Sequence, residues 1–198
     1  MTDGTDLDEL LIAHAAGHLT EAVALVVASH LCLCRESRRR YRIYEILGGL
    51  LLEELPPEEL APERRARVMA ALGEDPPTAG GTGIRRCENP LPAPLAPYLP
   101  ASLSAAEWRR SGPLAELPLS FARSRRGRLC LLRLDPGATV PPHSHVGIEL
   151  TLVLEGRLRD GDRVLEAGDL AIADPAIEHA PRAGEPQGCL CLLFAQEG

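Results

Sequence analysis

The sequence predicts an α+β chain in two parts: a four-helix N-terminal domain over residues 1–72 and a small β-barrel or sandwich over residues 101–198, joined by a linker over 73–100. Three observations predict it. Up to Leu72, apolar residues recur at three- and four-residue spacing, the period of helices with one buried face. Residues 73–100 hold seven prolines and four glycines with little apolar periodicity, a composition that suits an extended linker better than packed structure. Beyond residue 100, short apolar runs alternate with turn signals such as Asp135-Pro136-Gly137 and Asp160-Gly161-Asp162, the spacing of a small antiparallel β domain.

The helices follow in order. The first carries Leu10, Leu11 and Ala15 and stops at Gly17, where a residue without Cβ tolerates the left-handed turn that ends a helix. The second starts with Thr20 as N-cap and runs through Ala22, Val23, Leu25, Val26 and Val27 into His30. The third runs from about Ser37 through Tyr41, Tyr44 and Leu47. A short fourth covers Glu63 to Leu72, with Pro62 in its first turn and Gly73 just past its end. Strands are expected over Leu129 to Leu134, Ile148 to Leu154, Leu170 to Ala173 and Leu190 to Ala195.

Composition excludes several functions. A net charge of −7 argues against nucleic-acid binding as the main activity, because phosphate affinity needs a concentrated basic face. The one dense basic run, Arg38 to Arg40 with Arg42, reads as the solvated side of a helix. All 21 basic residues are arginine, so no lysine is present for Schiff-base chemistry. No signal-like N-terminal segment and no run of about 20 apolar residues is found, so the expectation is a cytoplasmic protein without a membrane span. Six cysteines (Cys32, Cys34, Cys87, Cys130, Cys189 and Cys191) then read as buried, metal-bound or redox-responsive thiols, not a disulfide framework. Cys189 and Cys191 share one face of a terminal strand, where ordinary core packing competes with a redox role.

The chemistry gathers around residues 137–156. His143, His145 and Glu149 all fall at odd positions, so on a continuous strand they project to one side while Ile148, Leu150, Leu152 and Leu154 pack on the other. Two imidazoles and a carboxylate form a facial metal-ligand set with room for a fourth residue, water or a substrate. That leaves open whether such a metal is structural or catalytic.

Gly137-x5-His143-x-His145-x3-Glu149-x6-Gly156 matches in full the first motif of the cupin fold. Gly168-Asp-Leu-Ala-Ile-Ala-Asp-Pro175-Ala-Ile-Glu-His179 resembles the second, although its proline-to-histidine spacing is one residue short and its later asparagine is missing. The resemblance implies that His179 is the fourth ligand. Leu25-Val-Val-Ala-Ser-His30, with Gly17, Leu47-Gly-Gly49, Gly147-Ile-Glu-Leu-Thr-Leu-Val-Leu154 and Ala171-Ile-Ala-Asp174, extends the likeness: the chain resembles zinc-binding anti-sigma factors of the ChrR type along nearly its whole length.

That resemblance implies Zn²⁺ as cofactor and an extracytoplasmic-function sigma factor as partner, held by an N-terminal anti-sigma domain. It implies no direct nucleic-acid contact, and release under oxidative stress with the C-terminal cupin as sensory module. Apolar helical surface such as Leu50 to Leu52 would meet the partner. The family's helical zinc site uses an N-terminal histidine and a His-x3-Cys-x2-Cys segment. Here His30 and Cys34 match its middle ligands, Ser37 replaces the last cysteine, and a residue near Thr5 stands for the first histidine. The competing expectation is a metal-dependent cupin enzyme, a dioxygenase or isomerase using His143, His145, Glu149 and His179.

Overall fold

The computed structural model describes residues 4–72, 91–120, 127–173 and 178–196, with residues 4–6 as backbone only. Four α-helices come first: α1 (Gly4–Ala15), α2 (Glu21–Leu33), α3 (Arg35–Glu53) and α4 (Pro62–Leu72). A 3-10 helix spans Ala93–Tyr98. Eight strands follow, β1 (Arg109–Ser111), β2 (Leu114–Pro118), β3 (Gly127–Leu134), β4 (Glu149–Asp160), β5 (Arg163–Glu166), β6 (Leu170–Ala173), β7 (Arg182–Ala183) and β8 (Cys189–Gln196).

The helix boundaries follow local chemistry. Gly17 sits at φ +70° just past α1, and Thr20 takes the extended conformation of an N-cap before α2. α3 begins at Arg35, two residues before the expected start, because Cys34 adopts an extended conformation that ends α2 and opens α3 without a loop. The Arg38 guanidinium donates to the carbonyls of Leu31 and Cys32, which satisfies the last turn of α2 at that junction.

A four-helix domain does not form as expected. α1 and α3 pack together, tied by the Asp8–Arg40 ion pair, and Leu11, Val27 and Leu31 form a small core beneath Tyr41 and Tyr44. α4 has no buried residue, and the C-terminal half of α3 is exposed as well. Among the described residues no helix covers those apolar faces, so this end is an open surface there.

The sheet is antiparallel throughout, in the order β1-β2-β3-β8-β4-β5, with β6 and β7 also paired to β4. One face encloses an interior built from Cys130, Leu132, Val153, Leu158, Leu165 and Cys191, among others. The opposite face, carrying Leu129, Leu131, Leu150, Leu152, Leu192 and Phe194, is covered by Ala22, Leu25 and Val26 of α2 and by Leu95 of the 3-10 helix. Full burial of each such side chain stabilises the fold by about 1.5–3 kcal/mol. The helical and β halves therefore share one apolar cluster.

This packing revises the reading of residues 73–100. Residues 73–90 lie outside the described residues, but Ala93–Tyr98 is packed structure and not extended linker: Leu95 is fully buried, and the Tyr98 hydroxyl donates to Glu21 at 2.8 Å. Proline is compatible with such a short 3-10 turn, which needs few N–H donors.

β4 holds the sheet together, and a register shift between Val153 and Glu155 interrupts its pairing with β8. The extra residue of a bulge reverses the alternation of faces. Val153 faces the interior before the shift and Leu158 faces it after. Gly156 follows at φ +77°, and a Cβ there would lie 2.1 Å from the carbonyl oxygen of Gly188. Gly156→Ala combines backbone strain with a backbone clash and is expected to destabilise the chain by at least about 2 kcal/mol in chemical denaturation, whereas Gly161→Ala, in open space at similar φ, costs about 1 kcal/mol.

Candidate metal centre

His143, His145, Glu149 and His179 come together, and one ligand atom from each lies within 4.8 Å of all the others. The route differs from the sequence expectation in one respect. β4 starts at Glu149, so His143 and His145 lie on the preceding loop and not on a continuous strand. His143 is held by a two-way backbone bridge to His179, with both N–H···O distances 3.1 Å, which sets these two side by side. Residues 174–177, which hold the proline of the second motif, lie outside the described residues.

Each ring has an acceptor within reach of its Nδ1. His143 Nδ1 donates to the carbonyl of Pro141 at 2.9 Å, His145 Nδ1 to Glu149 Oε2 at 3.2 Å, and His179 Nδ1 to Asp160 Oδ2 at 2.9 Å. In this arrangement Nε2 of each ring is left to accept a proton or to ligate. His145 Nε2 and His179 Nε2 face one another at 2.8 Å, with Glu149 Oε1 3.7 Å from His179 Nε2. Three imidazoles and a carboxylate converging in this way supply the nitrogen and oxygen donors that a divalent metal ion takes, so the four residues fit such an ion and could hold one.

Burial sets the charge states around this set. It pushes the Glu149 carboxyl above its ordinary range, against the opposing pull of His179 and His143. It pulls the His145 pKa down, and the neighbouring His143 and His179 pull it further, which keeps the ring a neutral ligand. The Thr151 hydroxyl, one step along the same face of β4, lies 3.4 Å from Glu149 Oε1.

Sequence reasoning missed Asp160. Strict alternation along β4 would turn an even-numbered residue away from Glu149, but the shift after Val153 brings Leu158 and Asp160 to the interior side. The Asp160-Gly161-Asp162 turn signal marked the end of the strand without revealing this contact. A cleft of about 440 Å³, lined by Thr151, Asp160, Arg163, Ala173 and Pro181, opens beside His179.

The cysteines and the helical residues fall as follows. Cys189 and Cys191 point into the interior, with Sγ atoms 3.3 Å apart. The contact with Cys189 and then burial hold the Cys191 thiol well above its usual pKa. Burial also pushes Cys130 up to about 12. His30 is buried, and its Nε2 meets Ser37 Oγ at 2.8 Å, while the Cys34 thiol lies 3.3 Å from that same hydroxyl. His30 and Cys34 are thus brought together as expected, through a serine. The side chain of Thr5 lies outside the described residues.

A helical half packed against an antiparallel sheet whose interior edge carries three histidines and a glutamate defines a cupin-type protein with an appended helical module. Residues 101–197 match the family model of the ChrR cupin-like domain. Beyond that domain, the chain is 43% identical over 188 residues to the anti-sigma-E factor ChrR of Cereibacter sphaeroides, covering 93% of this chain and 85% of that one. It also superimposes on the crystal structure of Rhodobacter sphaeroides SigE in complex with the anti-sigma ChrR, with a TM-score of 0.80 at 40% identity, covering 95% of this chain and 96% of that chain. The chain belongs to the ChrR family of anti-sigma factors. The relative in both comparisons is an anti-sigma factor, a regulator, which favours the anti-sigma expectation over the dioxygenase or isomerase one.

Thiol chemistry gives a direct check on the interior. Treatment of the native chain with a maleimide at neutral pH is expected to label exposed Cys32 and to leave Cys130 and Cys191 unmodified until the chain is unfolded, as read by peptide mass spectrometry.

Proposed function

We propose that this chain is a cytoplasmic anti-sigma factor that sequesters an extracytoplasmic-function sigma factor through its helical part, residues 1–72, and releases it under oxidative stress sensed by a Zn²⁺ centre in residues 101–198. The observation that carries the reading is the uncovered apolar surface of α3 and α4. Ile46, Leu47, Leu51, Leu52, Met69 and Leu72 are each at least half exposed. Large apolar side chains exposed along two helices suit a protein-binding face, and a helix that buries nothing of its own stands to gain most from a partner. The match to a relative solved in complex with SigE supports a sigma factor as that partner.

Zn²⁺ suits the four-ligand set. Three imidazoles and one carboxylate supply the four donors of a closed tetrahedral site, which favours a structural or sensory role over turnover. When bound, the metal would supply the positive charge that the buried Glu149 carboxylate requires. The chain's own contribution is orientation: the Pro141 carbonyl and Asp160 hold the rings of His143 and His179 by their Nδ1 protons, so that each Nε2 faces the centre. Cys130 and Cys191 lie near Glu149, and the raised pKa of both thiols keeps them protonated and slow to oxidise, so the metal-ligand set is the part of this interior on which an oxidant would act.

Co-expression with the sigma factor encoded beside this gene tests the partner. A stable complex and repression of that sigma factor's promoters are expected; absence of both would sink the reading. Leu51→Asp combined with Leu52→Asp should abolish co-purification while changing the stability of the free chain by no more than about 1 kcal/mol, because both side chains are exposed. For the metal, Asp160→Asn should lower Zn²⁺ affinity about 10- to 100-fold in chelator competition, and an unchanged affinity would remove Asp160 from the account.

A further inference from the structure

The contacts of His30 differ from those of a metal ligand on both sides of its ring. Nδ1 lies 2.8 Å from the carbonyl oxygen of Gly168, which can only accept, so Nδ1 carries the proton. Nε2 is therefore the bare nitrogen, and it accepts from the Ser37 hydroxyl at 2.8 Å. The Cys34 sulfur lies 3.3 Å from the same Ser37 hydroxyl, which places all three side chains in one hydrogen-bonded cluster. Both ring nitrogens of His30 are thus occupied, one by Ser37 and the other by a backbone carbonyl in the other half of the chain.

The far end of this contact is built to receive it. Gly168 lies in the turn between β5 and β6 at φ +98°, and a Cβ there would come within 3.3 Å of Leu33 Cβ, so the turn reaches the last residue of α2 without a side chain of its own. The Gly168 N–H donates to the Val153 carbonyl at 2.8 Å, and Val153 N–H donates to Asp169 at 3.0 Å, anchoring the turn to β4. Burial pulls the His30 pKa down, in keeping with a neutral ring.

We infer that His30, Ser37 and Cys34 form a metal-free clasp, in which hydrogen bonds occupy the positions a zinc ion would need and fasten the end of α2 to the β5–β6 turn of the barrel. The residues do not fit the helical zinc site of the family: a hydroxyl stands where a thiolate ligand is required, and it already caps the one free nitrogen of His30. Among the described residues no group of three metal-ligating side chains assembles in the helical half. The clasp also has a structural route to the barrel centre. β6 starts two residues after Gly168 and ends at Ala173, which pairs with Glu149. The inference concerns a different cluster from the barrel set and stands whether or not that set holds zinc.

Two measurements on the full chain test it. Zinc titration of the wild type and of Cys34→Ser is expected to give the same stoichiometry and the same affinity, whatever number the barrel contributes. An equivalent of zinc that disappears with Cys34→Ser would overturn the inference. Hydrogen exchange read by mass spectrometry tests the fastening: His30→Phe should raise exchange about tenfold in peptides covering 30–38 and 164–172 while leaving 189–196 unchanged. Ser37→Ala, a milder change, should raise it a few-fold in the same peptides. Unchanged exchange over 164–172 in both variants would show that no clasp joins the two halves.

Discussion

The burial of β4 on both faces is the constraint on which the rest of this structure depends. From Glu149 to Leu154 every residue of the strand is buried, and the two sets of side chains answer to different partners. Leu150, Leu152 and Leu154 lie in the cluster that α2 and the 3-10 helix complete, while Glu149, Thr151 and Val153 face the interior. A strand in that position has no solvent side on which to absorb a change of register, so its pairings with β6 and β8 are fixed by packing from both directions. A buried carboxylate on such a strand is costly unless it is compensated. The three imidazoles around Glu149 supply that compensation once a cation is held among them, so the metal-ligating set and the packing of the strand reinforce one another.

The electrostatics of the centre follow from which ring nitrogen each histidine commits outward. The Pro141 carbonyl in the loop and the two carboxylates at either end of β4, Glu149 and Asp160, lie against the three Nδ1 atoms and so orient the rings of the set. Asp160 takes part only because the register shift near Leu154 reverses the alternation of the strand. A local irregularity in hydrogen bonding, with no motif of its own, thus decides which carboxylate orients His179.

Much of this was legible in the sequence, for physical reasons that differ by element. His143, His145 and Glu149 were readable because ligand chemistry restricts residue type and spacing together, whereas His179 followed only from the family resemblance. The long strands β3, β4 and β8 were readable because burial on both faces demands nearly continuous apolar runs. β1, β2, β5 and β7 are too short to carry such a run, and β1 is exposed along its length. The loop position of His143 and His145 was hidden because alternate spacing looks the same on a strand and on an extended segment. The packing of Leu95 was hidden because prolines that suit a linker also suit a 3-10 turn. α3 and α4 carry helix-forming patterns, but a pattern does not say whether an apolar face meets its own chain or another, and among the described residues nothing covers α4 or the C-terminal half of α3. Ser37 was visible as a departure from the family, yet its bond to His30 depends on where the barrel places Gly168.

The position of α2 bears on how such a chain can be taken apart. By sequence the natural cut lies in the proline-rich stretch, but Ala22, Leu25 and Val26 are part of the wall of the β half, and a segment ending at residue 100 would leave with them. A barrel expressed without α2 would present the outer face of β3, β4 and β8 to water, and that face is a row of leucines. Exchange of sensory halves between relatives is therefore constrained to carry α2 with the barrel, so that the heritable module is discontinuous in sequence although it is continuous in space.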